Sequence, residues 1–524
     1  KIVFKQPRFT LSATTFAYVA ILANIALFNW PLVQYALKDL DIGTATGWQT
    51  LFAVLVVVVL VSTVILIPLL IVSRRLTKAL LILMVLSNSA AVYFIVTYQV
   101  ILDRTMIGNI LNTDASEAGE LFHYKLALYI LVLGVLPAWL LWHTQIKKQR
   151  RWHLLGHGLL IMTLSVGYLY SASSTWLWVD KHAKPLGGMI LPWGYMANGL
   201  RFVMAANERD QVQLALADLV EQEAGPRLVV LVIGETARAQ NFALYGYDRD
   251  TNPKLATTDV LAMNNAVACT TYTTASIKCM LAHENPSDLD AIYEYLPSYL
   301  NRHDVDVIWR TNNWGEPPIT VTDYQKAPEL RHQCHGENCN LDDAMLAGLQ
   351  ERIASSSKDK ILVVLHQKGS HGPSYNKRYG TEQAVFTPVC ESVNLSECDQ
   401  STLINAYDNS ILHTDQFLYK TIAMLNELDQ IPSAFIYMSD HGESLGEHGL
   451  YLHGTPYSLA PEEQKRVPML VWMSPEFKAQ KGLQGQDINW RQEHTHSLIF
   501  HSVIGAMGFT EGAYDAQQDI FSIQ

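Results

Sequence analysis

The chain has no cysteine before position 269, and all six that it has fall between positions 269 and 398. It has little charge: Asp, Glu, Lys and Arg make up 17% of 524 residues, with a formal net charge of −11. That balance excludes the broad positive field a nucleic-acid partner requires. Internal repeats and low-complexity segments are also absent, which excludes solenoid and linker-type architectures. What the chain has in excess is apolar side chains, 49% of the total. A chain of this length exceeds one ordinary domain, and the apolar residues are concentrated rather than spread evenly.

The first third holds five long apolar runs, at residues 13–33, 51–72, 79–101, 126–142 and 154–170. Each approaches the roughly 20 residues that cross a bilayer, and residues 51–72 contain no charged side chain. The first run is too long for a cleaved signal peptide and has no small-residue cleavage site before the next run. Lys1, Lys5 and Arg8 precede the first run; Arg74, Arg75 and Lys78 fill the second loop, and Lys147, Lys148, Arg150 and Arg151 the fourth. Acidic residues occupy the first loop (Asp39, Asp41) and the third (Asp103, Asp114, Glu117, Glu120). The positive-inside rule then puts the amino terminus in the cytoplasm and everything after the fifth span on the far side.

Cysteine spacing gives an independent reading of that topology. The six form close pairs, Cys269/Cys279, Cys334/Cys339 and Cys390/Cys398. Six cysteines allow 15 connectivities, and short separations favour three local loops in an oxidising compartment such as a bacterial periplasm. The competing reading is a zinc knuckle at Cys334 and Cys339, with His332 and His335 beside them.

Three segments are therefore expected: a membrane domain over residues 1–170, an interfacial linker over 171–223 rich in Trp, Tyr and Gly, and a catalytic domain over 224–524. In the last, near-continuous apolar runs at residues 227–235, 305–313, 360–371, 433–442 and 467–474 read as strands buried on both faces. Helical character over residues 341–355 and 410–428 completes a doubly wound, mainly parallel α/β domain. Polar residues follow the apolar stretch at four strand ends: Glu235, Asn312 with Asn313, His371, and Asp440 with His441. In open α/β sheets the ligand crevice lies beyond these carboxyl ends, so residues 200 positions apart converge.

Glu235, Asp440 and His441 make an O/O/N donor set suited to zinc, with one position left open for catalysis. His448 and His453 follow on a glycine-rich loop, and the isolated His366, His494, His496 and His501 read as buried, hydrogen-bonded rings. The segment CTTYTTASIKC, residues 269–279, is dense in hydroxyls and contains a helix start. A hydroxyl there would meet a phosphoryl group where N–H groups and the helix dipole favour anions, and a metal would make it a nucleophile. Chemistry alone leaves Thr270, Thr271, Thr273, Thr274 and Ser276 nearly equal.

These motifs resemble the bacterial phosphoethanolamine transferases that modify lipid A and the lipopolysaccharide core, including the mobile colistin-resistance enzymes. The resemblance covers essentially the whole chain. It implies five transmembrane helices and an alkaline-phosphatase/sulfatase-like periplasmic domain in the inner membrane. GETARAQNFALYGYDRDTNP is similar to the family's first metal segment and gives Glu235; the fourth residue after Cys269 matches its nucleophile, Thr273. HQKGSHGPSYNKRY implies that His371 binds substrate or a further zinc. SDHGESLGEHGLYLHGTP implies Asp440 and His441 as metal ligands and His453 as a substrate-side or second-metal residue. Asn109, Thr113 and Glu117, spaced by four, resemble positions that contact the donor head group. The implied reaction moves phosphoethanolamine from phosphatidylethanolamine to a lipid A phosphate or core sugar through a covalent threonine intermediate, with Zn²⁺, and confers polymyxin resistance. The alternative is a related metal-dependent transferase or hydrolase acting on another head group such as glycerophosphate.

This chain departs from the family at RTNNWGEPP, where Trp314 and Pro317 replace residues that contact substrate in many members, and at Lys278, where proline is common. No Cys/Ser-x-Pro-x-Arg motif lies near Thr273, which argues against sulfatase chemistry.

Overall fold

The structure is a computed structural model, described for residues 9–112, 119, 121–172, 175–209, 213–286, 289, 291–484, 488 and 493–522. The chain forms two compact units, residues 1–206 and 207–524.

The first unit is helical, as its apolar runs dictate. Among the described residues, helices Ala45–Val72, Arg74–Tyr98, Tyr124–His143 and Arg151–Ser171 are long and apolar enough to cross a membrane. The 28 residues of the first would reach roughly 40 Å at 1.5 Å each, more than the hydrocarbon core. A fifth span is the bent pair Ala13–Phe28 and Trp30–Asp39, turned by 58°. Asn29 caps the break and Pro31 lies in the first turn of the second helix, where its missing N–H costs nothing. Asn29 is fully buried; its side chain donates to Leu191 O at 2.9 Å and accepts from Leu191 N at 3.0 Å. Similar bonds join Tyr195 to Asn88 and Trp193 to Ser62. The aromatic-rich stretch after Ser171 thus forms helices Trp176–Lys181, Ala183–Met189 and Trp193–Arg209, packed on the spans, and the unit boundary at 206/207 falls inside the segment expected as a linker.

The second unit is built on a seven-stranded mixed sheet. Its strands are β1 (Arg227–Gly234), β2 (Leu261–Ala262), β3 (Asp306–Thr311), β4 (Asp323–Lys326), β5 (Lys360–His366), β6 (Ser433–Ser439) and β7 (Met469–Met473). The order is β2-β7-β6-β1-β5-β3-β4, and only β7 runs against the rest. Alternate residues of β1 enter different cores. Val229, Leu231 and Ile233 pack with the helices Thr273–Leu281 and Leu498–Ala506, while Leu228, Val230 and Val232 pack with Gln400–Glu427. Both faces are covered here, so the central strands β1, β5 and β6 are apolar along most of their length.

Two helical expectations are corrected. Residues 341–355 split into a 3₁₀ turn, Asp342–Leu346, and a short helix, Leu349–Ala354, because Gly348 takes a left-handed conformation (φ +60°) between them. The helix expected at 410–428 begins ten residues earlier, as Gln400–Glu427.

Register fixes the site. Ser439 pairs with Gly234, and Ile233 and Thr311 both pair with His366, so the carboxyl ends of β6, β1, β5 and β3 lie level.

Candidate active site

Immediately past those level ends lie Glu235, Asp440 and His441, buried to 1% exposure or less, with ligand atoms within 4.8 Å of one another. Thr273, first residue of its helix, joins them. Its Oγ1 donates to Glu235 Oε2 at 3.2 Å and lies 3.3 Å from His441 Nε2. His441 Nε2 is in turn 3.5 Å from Glu235 Oε1 and 3.1 Å from Asp440 Oδ2. Three other hydroxyls of the 269–279 loop are engaged elsewhere, Thr270 with Ser276 at 2.8 Å and Thr271 donating to Thr455 O at 2.6 Å, and among the described residues no bond joins the Thr274 hydroxyl to the cluster. Geometry thus separates Thr273 from neighbours that chemistry left equal.

The loop that carries Thr273 is held on three sides. A disulfide joins Cys269 to Cys279, Gly454 N donates to Thr271 O, and Cys269 N donates to His496 Nδ1. His496 Nε2 donates to Ser439 O at 2.9 Å, so one buried ring ties the threonine loop to the strand end before Asp440. Burial pushes that imidazole down to about 4, which keeps it neutral and able to accept as well as donate. Cys334–Cys339 and Cys390–Cys398 are also disulfides, so the zinc knuckle is excluded.

Do these residues fit a metal? Four oxygen or nitrogen donors converge here; Glu235 accepts from the Thr273 and Thr236 hydroxyls and the Asn313 amide, and Asp440 Oδ1 from the N–H groups of Thr236 and His441. His441 Nδ1 is 2.9 Å from Gly442 O, which can only accept, so the ring proton sits on Nδ1 and Nε2 presents a lone pair. Asp440 Oδ2 is buried without a hydrogen-bond partner. Ligands about 2.0–2.1 Å from a tetrahedral zinc lie roughly 3.3 Å from each other, which matches the separations here. Burial pushes the Asp440 carboxyl up to about 6 and the His441 imidazole down to about 4. Among the described residues no Lys or Arg hydrogen-bonds the side-chain carboxylate of Glu235, Asp440 or the neighbouring Glu443; Arg238 reaches only the Glu443 backbone oxygen. Buried carboxylates without a basic partner would suit a cation, and the O/O/N donor set fits zinc.

Beside this cluster lie His371 and His453. The His453 ring is 4.1 Å from His441 and 5.7 Å from His371, centre to centre, and its Nδ1 is 3.3 Å from Glu443 Oε1. Glu443 is fully buried, and that burial pushes its carboxyl up to about 8. His448 is exposed on the outer turn of the same loop, and no contact joins it to the cluster. Asn313 was visible only as a polar strand end; its Nδ2 donates to Glu235 Oε2 at 2.7 Å. The departing segment does border the site, since a Cβ on Gly315 would lie 3.1 Å from Thr274 Cγ2. Glu443 is the neighbour that sequence reasoning left unassigned; the sequence shows Asn313 as a polar strand end and His496 as a buried, hydrogen-bonded ring, and the structure adds their contacts to the site. Thr113, Glu117 and the side chain of Asn109 lie outside the described residues.

Two buried carboxylates, an imidazole and a helix-start hydroxyl beyond a doubly wound sheet are the arrangement of a sulfatase-type domain, and residues 227–509 match the family described as Sulfatase. Residues 58–206 match the family described as Phosphoethanolamine transferase EptA/EptB. The chain belongs to the phosphoethanolamine transferase EptA family. It is 38% identical over 420 residues to phosphoethanolamine transferase EptA of Helicobacter pylori, across 79% of this chain and 78% of that one. It is 35% identical over 412 residues to phosphatidylethanolamine transferase Mcr-1 of Escherichia coli, across 72% and 75%. Among solved structures it is similar to the integral membrane protein lipooligosaccharide phosphoethanolamine transferase A of Neisseria meningitidis, with a TM-score of 0.86, 27% identity and 98% of each chain covered.

Proposed function

We propose that the protein is a zinc-dependent phosphoethanolamine transferase that moves the head group of phosphatidylethanolamine to a lipid A phosphate or a lipopolysaccharide core sugar by way of Thr273. It resides in the bacterial inner membrane with its catalytic unit in the periplasm, a compartment in which three disulfides persist. The observation that carries the reading is Thr273 Oγ1, buried within 3.2–3.3 Å of both Glu235 and His441 at the start of a helix.

Glu235, Asp440, His441 and Thr273 would hold the metal. Bound zinc supplies a lowered hydroxyl pKa and stabilisation of charge on phosphoryl oxygens. The chain's own residues then do the following. The first-turn N–H groups of the Thr273 helix receive the phosphoryl oxygens, for which the helix amino terminus is suited. Thr273 Oγ forms a bond to phosphorus as the bond from phosphorus to the diacylglycerol oxygen breaks, and the hydroxyl proton is released. His371 or His453 delivers a proton to the departing oxygen. In the second displacement an acceptor oxygen bonds to the same phosphorus as the bond from phosphorus to Thr273 Oγ breaks, and the freed Thr273 oxygen takes up a proton. Two steps spare the crevice from holding two lipids together, the general advantage of covalent catalysis. Each transfer adds an ammonium to an anionic glycolipid, which would weaken polymyxin binding.

Mass spectrometry of lipid A and core oligosaccharide from cells expressing the protein tests the reading. A phosphoethanolamine addition, absent with a Thr273→Ala variant, supports it; unmodified glycolipid in both refutes it.

A further inference from the structure

We propose that Asp342 is a positioning residue for the Glu235 carboxylate, acting through the Asn313 amide, which it aims by fixing the ends of β3 and β5 relative to each other. The proposal rests on the reading that Glu235 holds a metal.

Asp342 opens the 3₁₀ turn Asp342–Leu346 and is 2% exposed. Among the described residues no cation bonds it; the adjacent Asp343 takes Lys420 instead. Its two oxygens accept four N–H bonds. Oδ1 takes Asn312 Nδ2 at 2.8 Å and Lys368 N at 2.9 Å, while Oδ2 takes Gly369 N at 3.0 Å and Gln367 Nε2 at 3.3 Å. A buried carboxylate is costly unless such bonds compensate it, and a neutral side chain would cost less if stability were the only demand. What the carboxylate provides is two oxygens that gather two chain segments at one point.

Both segments end on Glu235. Asn312 bonds Asp342, and the next residue, Asn313, donates Nδ2 to Glu235 Oε2 at 2.7 Å and to Gln367 O at 3.0 Å. On the other segment Gly369 sits against the Glu235 backbone, and Ser370 N donates to Glu235 O at 3.0 Å. Asp342 therefore fixes the β3 and β5 ends relative to each other, and that spacing aims the Asn313 amide at one oxygen of Glu235. An outer partner of this kind sets which carboxylate lone pair faces the metal, and its loss typically weakens binding 10–100-fold.

The test is a double-mutant cycle on zinc affinity, read by chelator competition on the full-length protein in detergent. Asp342→Asn replaces one acceptor oxygen by an amide that cannot accept, and Asn313→Ala removes the bond to Glu235. Each single variant is expected to bind zinc on the order of 10–100-fold more weakly, with the double variant within about threefold of the weaker single, because one path is cut twice. Multiplying losses would overturn the proposal by showing that Asp342 acts independently of Asn313, and so would wild-type affinity in Asp342→Asn. If Asp342→Asn does not fold, Asn312→Ala removes one of the four bonds and is held to the same standard: weakened zinc binding supports the proposal and wild-type affinity overturns it. Glu235→Ala separates the two readings. Unchanged zinc affinity there removes the metal assignment itself, whereas lost affinity there with wild-type affinity in Asp342→Asn removes only the positioning role.

Discussion

Gly369 offers the sharpest structural perturbation of the site, because it combines a left-handed backbone with a close approach. Its φ is +48°, and a Cβ there would lie 2.7 Å from Glu235 O and 3.2 Å from Glu235 N. The obstruction is backbone, so no rotamer change relieves it, and reaching even 3.0 Å requires a shift of a few tenths of an ångström. The left-handed conformation costs an ordinary residue about 1 kcal/mol and overpacking a further 1–3 kcal/mol. Gly369→Ala should therefore destabilise the second unit by roughly 2–4 kcal/mol, lowering the melting midpoint by about 3–6 °C for a domain of this size. Moving Glu235 O also moves its carboxylate, so zinc affinity should fall at least about tenfold. Gly225→Ala is the control: φ is +101° and nothing lies within 4 Å, so it should cost about 1 kcal/mol and leave zinc binding intact. Thermal melts and chelator competition on detergent-solubilised protein read both quantities. Wild-type affinity and midpoint in Gly369→Ala would refute the reasoning.

Asp415 is buried in the core face of the Gln400–Glu427 helix, accepts Lys254 N and Leu255 N, and has its carboxyl pushed by burial from 3.8 up to about 7. A raised carboxyl binds more protons folded than unfolded, so stability falls as pH rises from about 4 to 7, by at most roughly 4 kcal/mol. Asp415→Asn should flatten that fall in melts from pH 4 to 8; an unchanged slope contradicts the assignment. Replacing Cys269 and Cys279 by serine opens a loop with a sequence separation of 10 and should cost about 3 kcal/mol. Because the loop carries Thr273, transfer should also slow; melts and lipid head-group turnover check both.

Elements buried on both faces were legible in the sequence because β1, β5 and β6 are apolar at every position that matters. Short edge strands were not. β2 has two residues and β4 reads DYQK, half exposed, so neither shows a buried pattern. The start of the Gln400–Glu427 helix was hidden for another reason. Asn405, Asp408 and Asn409 all sit on its buried face, where hydrogen bonds satisfy them, and they break the apolar period. In the site, Glu235, Asp440 and His441 were readable as polar residues at strand ends. Asn313, Glu443 and His496 gain their roles from tertiary contacts that no spacing encodes. Asp342 lies outside the sheet, and nothing near it in sequence announces that two strand ends converge on it.

The central claim is that Thr273 carries the phosphoethanolamine group. It is tested most directly by incubating the full-length enzyme with phosphatidylethanolamine and no acceptor, then mapping the disulfide-linked 269–279 peptide by mass. The account predicts one phosphoethanolamine adduct on Thr273, lost on adding acceptor and absent in Thr273→Ala. An adduct on Thr271 or Ser276, or transfer at near wild-type rate by Thr273→Ala, would contradict it.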